Sequence, residues 1–451
     1  MTKVLEFANK VVWGVPALLM ILGVGCYLSF QTRFAQIRLF PRAVTCFVKQ
    51  FRKRDAGNGV SSYQALCTAL AATVGTGNIA GVAGAVAIGG PGAIFWMWIC
   101  ALFGMIIKFA EATLAVRYRE RNASGEFVGG PMFIIKRMIP KAGYLASAYC
   151  FFGVVATFGV GNAAQINAVI GGVNSAILYL GGKQHVLIDL MLGFCLAVLI
   201  LFMLLGGAKR IGQIAERLVP YAAVGYILLC AIVLIGRAQI IPHAFSSIII
   251  GAFKPKAMTG GVVGSAFTVL RIGASRGVFT NEAGMGTASI AHAASNVAHP
   301  IEQGLMGIME VFLDTIIICT MTALVILCSG IPIVYGRDTG VLLTTEAFSN
   351  VLGEWVCIPI SVFLCCFALA TVLGWGLYGI RCAQFLFGEK SWRGFVYMQA
   401  AIVPIGAVLG TGTVWMLAET VNGLMAIPNL IVLAYLAPEI SRLNLEYRYR
   451  T

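Results

Sequence analysis

Charge is what this chain has least of. Asp and Glu number 18 in 451 residues, charged residues of both signs make up 11%, and histidine occurs four times. A water-facing surface takes roughly a quarter to a third of its residues from the charged set, so a soluble multidomain protein is excluded, and so is a disordered chain. There is no CxxC pair and no Cys/His cluster at metal-ligand spacing, which removes zinc sites and disulfide scaffolds. What the sequence has instead is 59% hydrophobic residues and a mean hydropathy of +0.88. Spans of about 20 apolar residues, the thickness of a bilayer, account for that.

The thirteen cysteines fall mostly in or beside apolar stretches and read as small buried hydrophobes. The net charge of +14 would suggest nucleic acid in a soluble protein. In a membrane chain it reads as the Lys/Arg excess of cytoplasmic loops, so the partner is lipid and not nucleic acid. Residues 11–30 carry no charge, are too long for a signal-peptide core and run into a basic loop, which makes them a retained helix.

Divided at turn signals, the chain gives eleven spans: 11–31, 62–88, 93–116, 144–172, 187–206, 218–236, 260–292 (broken), 303–329, 356–382, 395–410 and 413–434. The charge-free run 57–107 is too long for one helix, and Gly89-Gly90-Pro91-Gly92 turns it into a hairpin. Loops 32–60, 117–143, 207–217 and 383–394 with the tail 435–451 hold 21 Lys and Arg, whereas the N-terminus and loops 173–186, 237–259 and 330–355 hold seven. The first set is expected in the cytoplasm of a cell-membrane protein, with the N-terminus outside and the C-terminus inside. A short surface helix is expected near 337–354.

Two spans are poor membrane helices. One contains Thr73-Val74-Gly75-Thr76-Gly77-Asn78 and the other Ile272-Gly273-Ala274-Ser275-Arg276-Gly277-Val278-Phe279-Thr280-Asn281-Glu282-Ala283-Gly284. They open two successive sets of five spans after the leading helix. The expected organisation is a leading helix with a basic loop (1–60), a first repeat (61–237), a second repeat (238–434) and a tail (435–451), the repeats pointing oppositely. Gly-interrupted helices in matching positions mark a transporter site at mid-membrane, because a broken helix offers N–H groups to an anion and carbonyls to a cation. An amino acid with a sodium ion suits such a site. The plainer alternative is that these small residues are helix-packing contacts and the Asn interhelical glue.

Acids within spans are costly. Glu310 and Asp314 read as structural pairing or polar contact with a broken helix, and Glu419 joins them as an intramembrane acid. Glu111 can pair with Lys108 on one face. His292 and His299 read as satisfying local hydrogen bonds. Trp13, Trp355 and Trp392 fit interfacial anchors. Nothing resembles a catalytic triad or a phosphate loop, so neither an enzyme nor a cofactor beyond the transported ion is expected.

Gly89-Gly90-Pro91-Gly92-Ala93-Ile94-Phe95-Trp96-Met97-Trp98, Ala71-Ala72-Thr73-Val74-Gly75-Thr76-Gly77-Asn78, Lys108-Phe109-Ala110-Glu111 and Arg276-Gly277-Val278-Phe279-Thr280-Asn281-Glu282-Ala283-Gly284 resemble the motifs of the alanine or glycine:cation symporter family, also called the sodium:alanine symporters. The likeness runs from about 12 to 440. It implies an all-α polytopic membrane protein with a LeuT-like 5+5 inverted repeat, importing small neutral amino acids (alanine, glycine, serine or D-alanine) with sodium by alternating access.

Carried over by position, the substrate would meet Thr73, the backbone at Thr76 and Gly77, Asn78, and Gln165 of the third repeat helix. Gly273 would give its side chain room, with Trp375 capping the pocket and Thr371 on the facing wall. The carbonyls of Ala71, Val74 and Ala368 and the hydroxyl of Thr371 would bind sodium. A mid-helix Thr also commonly bonds its own preceding turn, and a lone Gln is often helix glue. Proton-driven relatives of this fold tend to place a Lys in the fifth repeat helix, and 218–236 has none. A proton-coupled or sodium-independent transporter is the alternative, with a channel or sensor behind it. The chain departs from the family pattern at Ile380, where a Glu is common, and at Ala298-His299-Pro300-Ile301-Glu302-Gln303, both toward the cytoplasmic end.

Overall fold

The computed structural model describes residues 12, 14–52, 59–337, 340–408 and 411–450. Trp13 and the side chain of Glu419 lie outside what is described. Among the described residues helices lie over the expected spans, at Val15–Gln31, 62–89 with an interruption, Gly92–Arg117, 143–179, Val186–Leu204, Gly207–Gly236, 266–293 with an interruption, Pro300–Cys328, Cys357–Phe387, Trp392–Val408 and Thr411–Tyr435, although 260–265, expected to open the seventh span, is not helical. Among the described residues six continuous helices are long and apolar enough to cross a membrane, and the bent pair Ser62–Thr73 with Thr76–Gly89 passes the same test.

The outward faces are apolar, as a bilayer requires and water does not permit. On Val186–Leu204, Phe194, Val198 and Phe202 are each more than 60% exposed. The interior is unusually polar for so hydrophobic a chain. Lys108, Glu111, Glu282, Glu310 and Asp314 are all enclosed, and each therefore needs a partner within the bundle.

Small residues set how closely the helices approach. A Cβ on Gly25 of the leading helix would stand 2.7 Å from Phe103 Cβ, and one on Gly374 would stand 2.8 Å from the Ala72 backbone nitrogen. The second contact lays the Cys357–Phe387 helix directly against the end of Ser62–Thr73.

The basic loops hold more structure than the sequence suggested. Phe40–Arg52 and Pro131–Met138 are helices, and Glu120–Arg121 pairs antiparallel with Phe127–Val128. The segment 237–259, read as a loop, contains the helix Ile241–Phe253. The expected surface helix is Val341–Leu352.

Candidate functional site

The first broken helix starts on a capping box, Ser61 Oγ accepting from Gln64 N and Gln64 Oε1 from Ser61 N, both at 3.0 Å. It runs to Thr73 and then stops. Gly75 is extended (φ −135°, ψ −155°), Thr76–Asn78 forms one tight turn, and Ala80–Gly89 resumes at 59° to the first half. The stop has a local cause. The Gly75 N–H, which a continuing helix would give to the Ala71 carbonyl, goes to Asn78 Oδ1 at 2.9 Å. No backbone N–H among the described residues reaches the Val74 carbonyl.

The surrounding helices close on this break. A Cβ on Gly75 would lie 2.5 Å from Thr371 Oγ1, and one on Gly77 would lie 3.2 Å from Thr280 Cγ2. Thr76 Oγ1 donates to Gln165 Oε1 at 3.1 Å, and Gln165 Nε2 donates to the Val160 carbonyl at 3.1 Å. The latter belongs to a widened π turn, Gly159–Ala163, and π turns commonly expose carbonyls at functional positions. Thr73 bonds back to the Ala69 carbonyl (3.2 Å), and Thr371 to the Phe367 carbonyl (3.0 Å), one turn earlier in their own helices. Ala71, Val74, Ala368 and Thr371 are all buried where the two helices meet.

Asn78 is occupied at both ends. Its Oδ1 holds the break, while Nδ2 donates to Asp314 Oδ1 at 2.6 Å. Asp314 takes a second donor, Thr315 Oγ1, at 2.7 Å. It sits on the π-helical stretch Phe312–Cys319 of Pro300–Cys328. The reading of Asp314 as a polar contact to a broken helix matches this geometry.

The second broken helix differs from expectation. Ala266–Asn281 is continuous through Gly273 and Gly277, and the interruption falls at Glu282–Gly286, with φ of 53° at Glu282, 91° at Gly284 and 77° at Gly286. Gly273 is a packing contact. A Cβ there would stand 2.3 Å from the Ala93 carbonyl and 2.8 Å from Trp96 Cβ, so the space beside it is filled by Gly92–Arg117 and not left for a substrate side chain.

Glu111 does not pair with Lys108. Its Oε1 accepts from Gly284 N and Gly286 N, both at 3.0 Å, and from Asn429 Nδ2 at 2.8 Å. The exposed N–H groups of the second break are thus taken up by a carboxylate from another helix. Glu282 accepts from Trp375 Nε1 at 2.9 Å and from Thr287 Oγ1 at 2.7 Å. Trp375 is fully buried, lies face to edge with Tyr378 and presses on Gly161, which places it between the third repeat helix and the second break. An interfacial role for it is excluded.

Lys108 pairs instead with Glu310 at 2.8 Å. From there a buried chain continues: Glu310 Oε2 to His292 Nε2 at 3.0 Å, His292 Nδ1 to Gln303 Nε2 at 2.6 Å, and Gln303 Oε1 to Ser62 Oγ at 2.6 Å. A glutamine Nε2 only donates, so Nδ1 accepts and Nε2–H faces Glu310. His292 is a local hydrogen-bonding residue, as read. The chain joins the resuming half of the second broken helix to the start of the first.

At the same end, Asn296 N donates to the Val60 carbonyl at 2.9 Å, and Arg119 donates to the carbonyls of Ser295 and, at 3.0 Å, Val297. Burial first, then the charge of Arg121, pulls the Arg119 guanidinium below its ordinary value; a guanidinium remains protonated all the same. Arg381, next to the departure at Ile380, reaches Glu126 of the small hairpin at 3.0 Å. His299 Nδ1 accepts from Ile301 N at 3.2 Å. Trp355 is half exposed near one helix end.

Glu282, Asn429 and Gln303 escaped the sequence reading. Glu282 alone carried a signal, standing among the glycines of the interrupted segment.

The fold is one already seen in a solved structure. The structure of MhsT in complex with L-phenylalanine superposes with a TM-score of 0.54 over 86% of this chain and 99% of that one, at 16% sequence identity, a likeness of fold. In sequence, the chain is 41% identical over 434 residues to the sodium/alanine symporter AgcS of Methanococcus maripaludis, covering 95% of this chain and 93% of the relative. It is 40% identical over 454 residues to an uncharacterized transporter of Haemophilus influenzae (99% and 96%) and 35% identical over 446 residues to the probable sodium/glutamine symporter GlnT of Bacillus subtilis (97% and 89%). The profile of the sodium:alanine symporter family matches residues 1–451. With two interrupted helices facing each other in an all-helical membrane bundle and likeness along its whole length, the chain belongs to the sodium:alanine symporter family, whose members are transporters and not enzymes.

Proposed function

We propose that this protein imports small neutral amino acids, alanine and glycine foremost, together with sodium, by alternating access. The observation that carries the reading is the first break, where Asn78 diverts the Gly75 N–H from the Ala71 carbonyl and Thr371 Oγ1 presses on Gly75. Backbone oxygens released from a helix and set beside a hydroxyl suit a hard, weakly polarising cation. On this reading the carbonyls of Ala71, Val74 and Ala368 and the Thr371 hydroxyl hold sodium. The amino-acid carboxylate takes the N–H groups at Thr76 and Gly77, with Thr73 and Gln165 alongside. Asn78 holds the break open, and Trp375, steered by Glu282, walls the pocket.

Sodium orders the interrupted backbone and so raises affinity for the amino acid, and the amino acid raises affinity for sodium by the same factor. An inside-negative potential adds about 2.3 kcal/mol per charge per 100 mV to inward ion movement. The N-terminus lies outside, the C-terminus in the cytoplasm, and 61–237 and 238–434 form the two repeats.

The test is uptake of labelled alanine into proteoliposomes under an inward sodium gradient, against potassium or choline at equal pH and potential. Saturable accumulation with sodium alone, lost in Thr371→Ala, supports the reading. Equal uptake without sodium overturns the ion. Saturable uptake of glutamine and not of alanine or glycine overturns the cargo.

A further inference from the structure

A groove of about 820 Å³ runs down the outside of the bundle between the Gly207–Gly236 and Cys357–Phe387 helices. Arg210, Glu216 and Arg217 line one end of it, and Tyr221, Val362 and Phe363 the other. The first helix is charge-free from 218 to 236, about the length that fills the hydrocarbon layer. The charged end therefore stands at the level of lipid headgroups and the rest at the depth of acyl chains. Tyr221 is 75% and Val362 54% exposed, so the apolar part opens sideways to lipid. Its floor is tight, since a Cβ on Gly225 would stand 2.7 Å from the Phe363 ring.

The charged end is specific. Arg210 donates to the Phe202 carbonyl at 3.0 Å and lies over the Phe202 ring at 4.3 Å, a pose that fixes its guanidinium and leaves further N–H groups to give. Arg217 is exposed and has no hydrogen bond or ion pair to a described residue. Between them Glu216 is partly exposed: Oε2 is enclosed without a donor, and the other carboxylate oxygen opens to the groove with none either among the described residues, which costs stability unless something brings one. An anion alone leaves that carboxylate unsatisfied and repels it. The complement of two guanidiniums, one donor-seeking carboxylate and an apolar trough is a molecule with a phosphate, a primary ammonium and acyl chains.

We propose that this groove binds phosphatidylethanolamine, with its phosphate on Arg217 and Arg210, its ammonium on Glu216, and an acyl chain along Tyr221, Val362 and Phe363. Phosphatidylcholine offers the same phosphate and tail, but its three methyl groups cannot donate. Phosphatidylglycerol donates only from neutral hydroxyls, which charged carboxylates bind less strongly than an ammonium.

The test is native mass spectrometry of the full-length protein released from micelles containing equimolar phosphatidylethanolamine, its mono- and dimethyl derivatives, phosphatidylcholine and phosphatidylglycerol. The expected result is retention of phosphatidylethanolamine at about tenfold or more over phosphatidylcholine, the ratio of one charge-assisted hydrogen bond, falling stepwise along the methylation series. Glu216→Gln should bring the two lipids toward parity, and Arg217→Gln should weaken both. Equal retention along the series overturns the proposal, as does phosphatidylglycerol retained above phosphatidylethanolamine or a preference unmoved by Glu216→Gln. A dimer that binds no lipid also overturns it, because a second copy then covers the groove. If Glu216→Gln does not fold, the methylation series on the unaltered protein still decides.

Discussion

Lys108 and Glu310 form a pair with no access to solvent, and the worth of such a pair shows when it is halved. Removing one partner leaves an uncompensated charge in a low-dielectric interior. Lys108→Met is expected to lower stability by about 3–5 kcal/mol, read as thermal melting in detergent, while Lys108→Met with Glu310→Leu recovers most of the loss. At Glu111 one oxygen serves three donors. Glu111→Gln retains an acceptor but drops the charge that strengthens each bond, a loss of about 1 kcal/mol per bond, the difference between charged and neutral hydrogen bonds. The expected outcome is alanine uptake reduced at least tenfold with the protein still inserted, checked by proteoliposome flux alongside size-exclusion profiles.

A glycine in a membrane helix can serve two ends, and at the scale of the element the two broken helices separate them. Gly284 and Gly286 occupy positive φ, where an L side chain costs about 1–2 kcal/mol; a Cβ on Gly286 would also stand 2.3 Å from Pro131 Cγ. Gly286→Ala and Gly75→Ala are expected to abolish uptake. Gly171→Ala, which meets nothing within 4 Å, is expected to leave it unchanged. The first interruption was legible residue by residue, because two glycines and an asparagine in six positions both free the backbone and supply the side chain that diverts it. The second was legible only as a region. Gly273 and Gly277 look the same in sequence as Gly284 and Gly286, yet the first two are close helix contacts and the second two are conformational necessities. The partner of Glu111 was misread for a similar reason: Lys108 lies three residues away in sequence, whereas its true partners lie more than 170 residues downstream, and only folding brings those together. The helix Ile241–Phe253 was hidden because it is shorter than a span and flanked by basic residues.

For the molecule as a whole, the membrane class followed from scarcity of charge and the apolar spans from turn signals between uncharged runs, and the likeness to the MhsT structure supports the all-helical fold. The sidedness read from the 21 basic residues of one loop set predicts that single cysteines at Lys136 and Lys390, in a cysteine-free background, are protected from impermeant thiol reagents in intact cells, and one at Lys183 is labelled. The buried acids carry a further consequence. Asp314, from residues beyond 237, meets Asn78 at the first break, and Glu111, from residues before 238, holds the second. Each half thus lends a carboxylate to the interrupted helix of the other. Produced as two polypeptides cut between 237 and 238, the halves are expected to complement in trans: each alone degraded or inert, the two co-expressed restoring uptake, and Glu111→Ala in one fragment disabling the helix carried by the other.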